Sequence, residues 1–313
     1  MEFLKKEKKT IAIIMTLVVV LTGMYICAQR HGDVMWTSAP DFAISAGQAI
    51  LVDGDTGRVL YEKAADQRAY PASTTKIMTA LLTLEILEKY DSPLDQKVEI
   101  PAEAEGVEGS SLYLKAGEKI SIEDLLYGMM LVSGNDSAVA LSCIIGGTQQ
   151  HFIEMMNRRA DAIGCTGTHF TNPNGLFDED HYTTARDLAN ITRTAMKNKT
   201  FSRIVAAKEW NADRPGSTYR HFVNKNKTVR QFDGGNGVKI GYTKASGRTL
   251  AASATRDGKN VICVVMSAPN WFQDAYRLME YGFDVLCSHL AHLAYVAHLA
   301  MCFRLSSSDL PRL

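Results

Sequence analysis

Charge of one sign is the first thing this 313-residue chain lacks: Lys+Arg and Asp+Glu both total 34. Its net charge therefore offers nothing to steer a polyanion, and nucleic acid is not an expected partner. Organised cysteine is the second. Cys27, Cys143, Cys165, Cys263, Cys287 and Cys302 are scattered, with no C-x-x-C and no Cys/His cluster at metal-ligand spacing. That argues against metal chemistry, and no cofactor is expected. Cys27 falls in the leader and Cys287 and Cys302 in the tail, which leaves too few for a disulfide framework; buried or idle thiols are the simpler reading. What the chain does have is apolar side chain. At 46% hydrophobic it can bury a substantial core, in one large or two smaller domains.

The N-terminus carries Lys5, Lys6, Lys8 and Lys9 ahead of an uncharged apolar run from Ile11 to about Ala28. A basic flank followed by such a run is the pattern of an export signal, so the remainder is expected to work outside the cytoplasm. The run is near the lower length limit for crossing a bilayer, and no clear A-x-A site comes after it. Residues 1–28 are therefore read as a signal peptide or an N-terminal membrane anchor. Residues 29–45 read as a linker.

Strand patterns stand at both ends of the region beyond the linker. Ala49–Asp53 and Arg58–Glu62 flank Gly54-Asp55-Thr56-Gly57 as a hairpin, and Val238–Thr243, Thr249–Thr255 and Val261–Ser267 form a second set, with Arg256-Asp257-Gly258-Lys259 as a turn. Between them, from about Pro93 to Ala207, the spacing is mostly helical, as in Ile122–Met130, Ser137–Ile145 and Phe152–Ile163. A last helix, Phe272–Phe283, offers Trp271, Tyr276 and Met279 for burial. The expectation is a mixed α/β (α+β) chain: one sheet of about five strands assembled from both ends, flanked by helices, with a helical insert. Residues 285–313 form an apolar tail that carries His289, His292 and His298 without a nearby Cys or carboxylate. No metal or catalytic role is assigned to it.

Three short motifs carry chemistry. Pro71-Ala72-Ser73-Thr74-Thr75-Lys76 enters the apolar run Ile77–Leu82, so Ser73 and Lys76 are expected in the first turn of a helix, three residues apart and on one face. A serine needs a base to attack, and a desolvated lysine with a lowered pKa is such a base. Ser133-Gly134-Asn135 adds a hydroxyl and an amide in a turn between helices. Lys239-Ile240-Gly241 adds a cation on the first closing strand. Each motif alone is weak, whereas the ordered set, each member in its own setting, is specific.

Together these motifs resemble those of the serine D-alanyl-D-alanine carboxypeptidases, the low-molecular-mass penicillin-binding proteins of the peptidoglycan-trimming type. The resemblance runs from about Ala46 to Asp284, the expected domain, and includes Asn172-Pro173-Asn174-Gly175-Leu176, His181-Tyr182-Thr183-Thr184-Ala185-Arg186-Asp187-Leu188-Ala189 and Gly241-Tyr242-Thr243-Lys244-Ala245-Ser246-Gly247. It implies a penicillin-binding-protein/β-lactamase-like transpeptidase fold with an antiparallel sheet. It also implies that Ser73 attacks the penultimate D-alanine carbonyl of a muropeptide stem, that Lys76 takes its proton, and that Ser133 relays a proton to the leaving amine. Asn135 would bond the substrate amide and hold Lys76. Lys239 would face the terminal carboxylate, with Gly241, Tyr242 and Thr243 lining the substrate strand. The backbone N–H groups of Ser73 and Tyr242 would form the oxyanion hole. Implied partners are peptidoglycan muropeptides with D-Ala-D-Ala ends, β-lactams as covalent inhibitors, and a membrane reached through the leader or the tail.

The third motif departs from the family, which usually has Thr where this chain has Ile240. Strand alternation turns Ile240 away from Lys239 and Gly241. The resemblance sets it on the pocket instead, where one donor would be lost and carboxylate recognition would rest on Lys239, Thr243 and Arg248. Two rival readings remain. A weakly active penicillin-binding surface module is favoured by Ile240. A serine β-lactamase would need a water-activating glutamate in E-x-x-x-N, and the region has Glu179 without that spacing.

Overall fold

Two tight turns and two stretches of alternating side chains build one sheet from distant parts of the chain. The computed structural model describes residues 40–287; the leader, most of the 29–45 linker and the tail beyond residue 287 lie outside the described residues. In chain order, β1 (Gln48–Asp53) and β2 (Val59–Lys63) form a hairpin, and a 3-10 turn (Ala72–Thr75) runs into α1 (Lys76–Lys89). Next come β3 (Lys97–Glu99), β4 (Lys119–Ser121), α2 (Ile122–Leu131), α3 (Asn135–Gly146), α4 (Gln149–Ile163), α5 (Ala185–Met196) and α6 (Lys199–Ala206). After β5 (Glu209–Asn211), β6 (His221–Val223) and the one-turn α7 (Thr228–Gln231), the chain returns to the sheet as β7 (Gly235–Thr243), β8 (Gly247–Arg256) and β9 (Lys259–Met266). A final helix, α8, occupies 271–287.

The sheet order is β2-β1-β9-β8-β7, antiparallel at every pairing, so the first strand of the chain lies against the last. Gln48 pairs with Met266 and Asp53 with Val261, without a slip in register. Alternation sends Ile50, Ile262, Val264 and Met266 to the face covered by α1 and the helical insert, and Leu51, Val261, Cys263 and Val265 to the face covered by α8. On α8, Ala275, Leu278, Met279, Phe283 and Leu286 recur at helical spacing and bury against that second face.

The first part of α1, Lys76–Leu84, is buried on all sides, and only its last turns, with Glu85, Glu88 and Lys89, reach the surface. Ile77, Met78, Ala80, Leu81 and Leu84 are at most 2% exposed, and each of the larger ones, Ile77, Met78, Leu81 and Leu84, contributes about 1.5–3 kcal/mol by burial. The helix that begins at Lys76 is thus fixed by the core itself. Four other helix starts are capped: Ser121, Thr148, Thr184 and Asn198 each accept an N–H at the head of α2, α4, α5 and α6. The starts of α1 and α3, like that of the one-turn α7, have no side-chain cap, and α1 and α3 carry the S-x-x-K and S-x-N motifs.

Two expectations need correction. Ser73 does not sit in the first turn of an α-helix but in the 3-10 turn ahead of it. There residues i and i+3 eclipse, which aligns Ser73 with Lys76 more closely than α-helical spacing would. The insert is also less purely helical than its spacing suggests, since β3–β4 and β5–β6 form two small antiparallel ribbons; strands of three residues are too short for alternation to register.

Candidate active site

The turn that presents Ser73 is tied from within. Thr74 Oγ1 donates to Pro71 O (2.6 Å) and Thr75 Oγ1 to Ala72 O (2.8 Å). Ala72 adopts φ +49°, a left-handed conformation that a side-chain-bearing residue holds only when its surroundings require it. The surroundings are specific. A Cβ on Gly175, itself at φ +84°, would lie 1.8 Å from Ala72 O, so the 171–176 loop presses its backbone directly onto this turn.

Lys76 is fully buried, and its Nζ has three neighbours: Ser73 Oγ at 3.0 Å, Asn135 Oδ1 at 2.7 Å and Asn174 O at 2.6 Å. Burial holds its pKa well below the usual lysine value, and the charges of Lys239 and Lys225 push the same way against the opposing carboxylate of Asp136. A neutral amine has two N–H groups and one lone pair. The Asn174 carbonyl only accepts, and Asn135 Oδ1 is the accepting end of its amide because Asn135 Nδ2 donates to Glu108 O (2.6 Å). As an ammonium, Lys76 donates to all three; once it is neutral, those two acceptors take both N–H groups and the lone pair is left for the Ser73 hydroxyl.

Asn135 and its neighbour hold the 110–114 loop. The Asn135 N–H donates to Ser110 O (2.7 Å). Asp136, 1% exposed, accepts from Ser111 Oγ (2.6 Å), Leu112 N (2.8 Å), Leu114 N (3.1 Å) and Ser137 N (2.9 Å). A carboxylate that accepts this many hydrogen bonds is stable without a cation beside it. Ser133 is 6% exposed and left-handed at φ +70°. Lys225 grips the segment just before it: its N–H donates to Leu131 O (3.0 Å) and its Nζ to Val132 O (2.9 Å).

β7 closes the site. Lys239 is 1% exposed and its Nζ donates to Ile240 O (3.0 Å); burial, with the charge of Lys225, lowers its pKa to about 7. A Cβ on Gly241 would meet Ser73 N at 2.8 Å and Ala72 Cβ at 3.0 Å, so the strand edge lies against the nucleophile's own amide. Tyr242 is exposed. The Thr243 hydroxyl is 2.8 Å from Ser246 Oγ, within the β7–β8 turn. Arg248, paired with Tyr242, donates to Pro269 O (2.7 Å).

Ile240 is opposite Leu250 and packs on the cluster beneath α8, away from the face of Lys239 and Gly241. The expectation that it faces the pocket is therefore corrected, and strand alternation predicted the right side. The structure puts Lys76 in direct contact with both Ser73 and Asn135, places Lys239 close enough for its charge to act on Lys76, and sets Gly241 against Ser73. Sequence reasoning missed three contributors. The Asn174 carbonyl lies within a family-like stretch but has no side-chain signature. Lys225 looks like any other lysine. His181, 2% exposed and 2.8 Å from Thr75 Oγ1, stands out in the sequence only as part of a motif.

A family profile described as D-alanyl-D-alanine carboxypeptidase matches residues 33–270. Among curated proteins, the D-alanyl-D-alanine carboxypeptidase DacF of Bacillus subtilis is 35% identical over 228 residues, 73% of this chain and 59% of that protein. A D-alanyl-D-alanine carboxypeptidase from a Streptomyces species is 36% identical over 283 residues, 85% of this chain and 96% of that one. The chain thus spans less than two thirds of the Bacillus relative and nearly all of the Streptomyces one. Among solved structures, a Streptomyces DD-transpeptidase superposes with a TM-score of 0.72 at 34% identity, over 79% of this chain and 100% of its own. The D-alanyl-D-alanine carboxypeptidase DacD of Francisella tularensis superposes with a TM-score of 0.72 at 29% identity, over 80% of this chain and 73% of its own.

Proposed function

The chain belongs to the D-alanyl-D-alanine carboxypeptidase family, and on that footing we propose that it is a serine carboxypeptidase that removes the terminal D-alanine from peptidoglycan stem pentapeptides. The observation that carries the reading is the setting of Lys76: a buried side chain whose Nζ is 3.0 Å from Ser73 Oγ and is held by Asn135 Oδ1 and the Asn174 carbonyl, so that its neutral form has a lone pair left for the Ser73 hydroxyl. Ser73 Oγ attacks the carbonyl carbon of the penultimate D-alanine, and its proton passes to Lys76 Nζ. The oxyanion is met by backbone N–H groups, with Ser73 N, beside the Gly241 edge, as the first donor and Tyr242 N as the second. The C–N bond then breaks, the leaving D-alanine amine takes a proton by way of Ser133, and the acyl group remains on Ser73 as an ester until water releases it. Lys239 is buried with a single backbone carbonyl as its acceptor, which suits it to the terminal carboxylate of the substrate. A β-lactam undergoes the same first step and leaves slowly, which makes it a covalent inhibitor.

The rival readings have less support. Glu179 is exposed on its loop, and the two curated relatives described above carry carboxypeptidase names. Ile240 packs away from the site, which removes the reason for expecting a feeble one. The basic flank and apolar run at the N-terminus support work outside the cytoplasm, at the outer face of a bacterial membrane or in the wall; fractionation of cells that express the full chain tests this. The activity is tested by D-alanine release from a pentapeptide, with a fluorescent penicillin counting active sites. Ser73→Ala is expected to lose both the release and the label, and a variant that keeps its release would overturn the assignment of the nucleophile.

A further inference from the structure

His181 takes part in none of the proposed chemical steps, yet it is a buried imidazole with a partner on each nitrogen. The Thr171 backbone N–H donates to Nδ1 (3.0 Å), and Thr75 Oγ1 is 2.8 Å from Nε2. A backbone N–H can only donate, so Nδ1 carries no proton, and the ring proton is on Nε2. Thr75 Oγ1 in turn donates to Ala72 O (2.8 Å). The bonds therefore run in one direction without conflict: Thr171 N–H to Nδ1, Nε2–H to Thr75 Oγ1, Thr75 O–H to Ala72 O. Two things that the reaction needs stand at the ends of this chain. At one end is the left-handed Ala72, immediately before Ser73. At the other is the 171–176 loop, whose Asn174 carbonyl takes one N–H of Lys76 and whose Pro173 carbonyl accepts from Thr79 Oγ1 on α1 (2.6 Å).

We propose that His181 is a positioning residue for acylation: as a neutral imidazole protonated on Nε2, it ties the loop that orients Lys76 to the turn that presents Ser73. It touches neither the substrate nor the reacting atoms, and it acts through Thr75 and Ala72. The link explains why Ala72 keeps a conformation that it would otherwise leave, since its carbonyl is held by a hydroxyl that is itself held by the ring. Protonation would put a donor on Nδ1 opposite the Thr171 N–H and break the chain at its first bond.

The surroundings oppose that protonation. Burial is the largest cause, the charges of His169 and Lys76 act with it and that of Asp178 against it, and the pKa is lowered to about 4; the Phe170 ring packs beside the imidazole in a T-shaped pair, ring centroids 5.6 Å apart. Because the folded value lies below that of a free histidine, about 6.5, the unfolded chain takes up the proton first. The stabilisation is complete above about pH 6.5 and is lost as the pH falls through about 4.

The inference rests on Ser73 as the acylated nucleophile, and its test reads acylation alone. The second-order rate constant for labelling by fluorescent penicillin would be measured per active site for wild type, His181→Phe, Thr75→Val, the double variant and His181→Gln, with melting temperatures alongside. His181→Phe and Thr75→Val are each expected to slow acylation about 10-fold or more, the scale on which a small misplacement of reacting groups acts. The double variant should be no slower than the slower single one, because both break the same link. His181→Gln, whose amide restores a donor to Thr75, should recover most of the rate, and its melting temperature should fall less than that of wild type between pH 7 and 4. Wild-type acylation by His181→Phe, additive losses in the double variant, or no recovery in His181→Gln would each overturn the proposal. If His181→Phe does not fold, Thr75→Val and His181→Gln still decide it. A wild type that is labelled but releases no D-alanine would sink the carboxypeptidase reading and leave this one open to the same test.

Discussion

Gly241→Ala is the smallest change that separates this site from a merely well-packed one. The added Cβ would lie 2.8 Å from Ser73 N, 3.0 Å from Ala72 Cβ and 3.1 Å from Pro71 O, whereas ordinary contact begins at 3.4 Å. At least about 0.6 Å must therefore open between β7 and the nucleophile turn, the difference between those two distances. None of the three atoms is the far end of a flexible side chain, and the turn is braced by Thr74, Thr75 and the loop at Gly175, so the displacement falls on the strand edge. The proposed oxyanion donors lie on either side of this gap. Losing one such donor slows acyl transfer about 10²–10³-fold, and a misplacement of about 1 Å about 10²-fold. We expect acylation of Gly241→Ala by fluorescent penicillin to slow by about 10², equivalent to about 2.7 kcal/mol of transition-state stabilisation, in a protein that still melts cooperatively. The assay is the second-order labelling rate at fixed pH, with a thermal melt as control. Labelling within about threefold of wild type, well inside that expected loss, would refute both the close approach and the placement of the oxyanion hole beside it.

Two further predictions concern the lysines and Ile240. The rate at low substrate should rise with pH as Lys76 loses its proton, because the neutral amine is the base, and fall above about pH 7 as Lys239 loses the positive charge that would meet a carboxylate. Lys239→Arg, which stays protonated, should remove the alkaline fall even if it lowers the maximum; an unchanged alkaline limb would show that another group sets it. Ile240→Thr should leave D-alanine release within a few-fold of wild type while costing about 1 kcal/mol of stability by partly emptying a packed position beside Leu250. A large gain in activity, read from kcat/KM on a pentapeptide, would mean that position 240 does face the carboxylate.

How much could be read without the fold depends on the range of each signal. Strand alternation and the two hairpin turns act over a few residues, and they located the sheet strands to within a few positions and correctly turned Ile240 away from Lys239. The three-residue interval between Ser73 and Lys76 is equally local and survived the change from α-helix to 3-10 turn. The two small ribbons were missed, because three residues hold too little alternation to stand out from a helical neighbourhood.

The chain by itself thus determined which groups could do chemistry, Ser73, Lys76, Ser133, Asn135 and Lys239, since hydroxyl, amine and amide are properties of residue type and their order along the chain is the mark of the family. Only the tertiary structure decided what state they are in. Lys76 loses its proton more readily than a free lysine because the core surrounds it, with the charges of Lys239 and Lys225 acting the same way, and its Nζ is oriented by a backbone carbonyl 98 positions away. Every residue carries that same carbonyl, so no pattern could single out Asn174. Lys225 is set apart from the other Lys and Arg residues only by being drawn against Val132. His181 is one of eight histidines, and it has a definite tautomer only because folding puts an N–H on one side of its ring and a hydroxyl on the other. Desolvation and long-range pairing arise from packing, which depends on all the neighbours at once, and a reading of local spacing does not contain them.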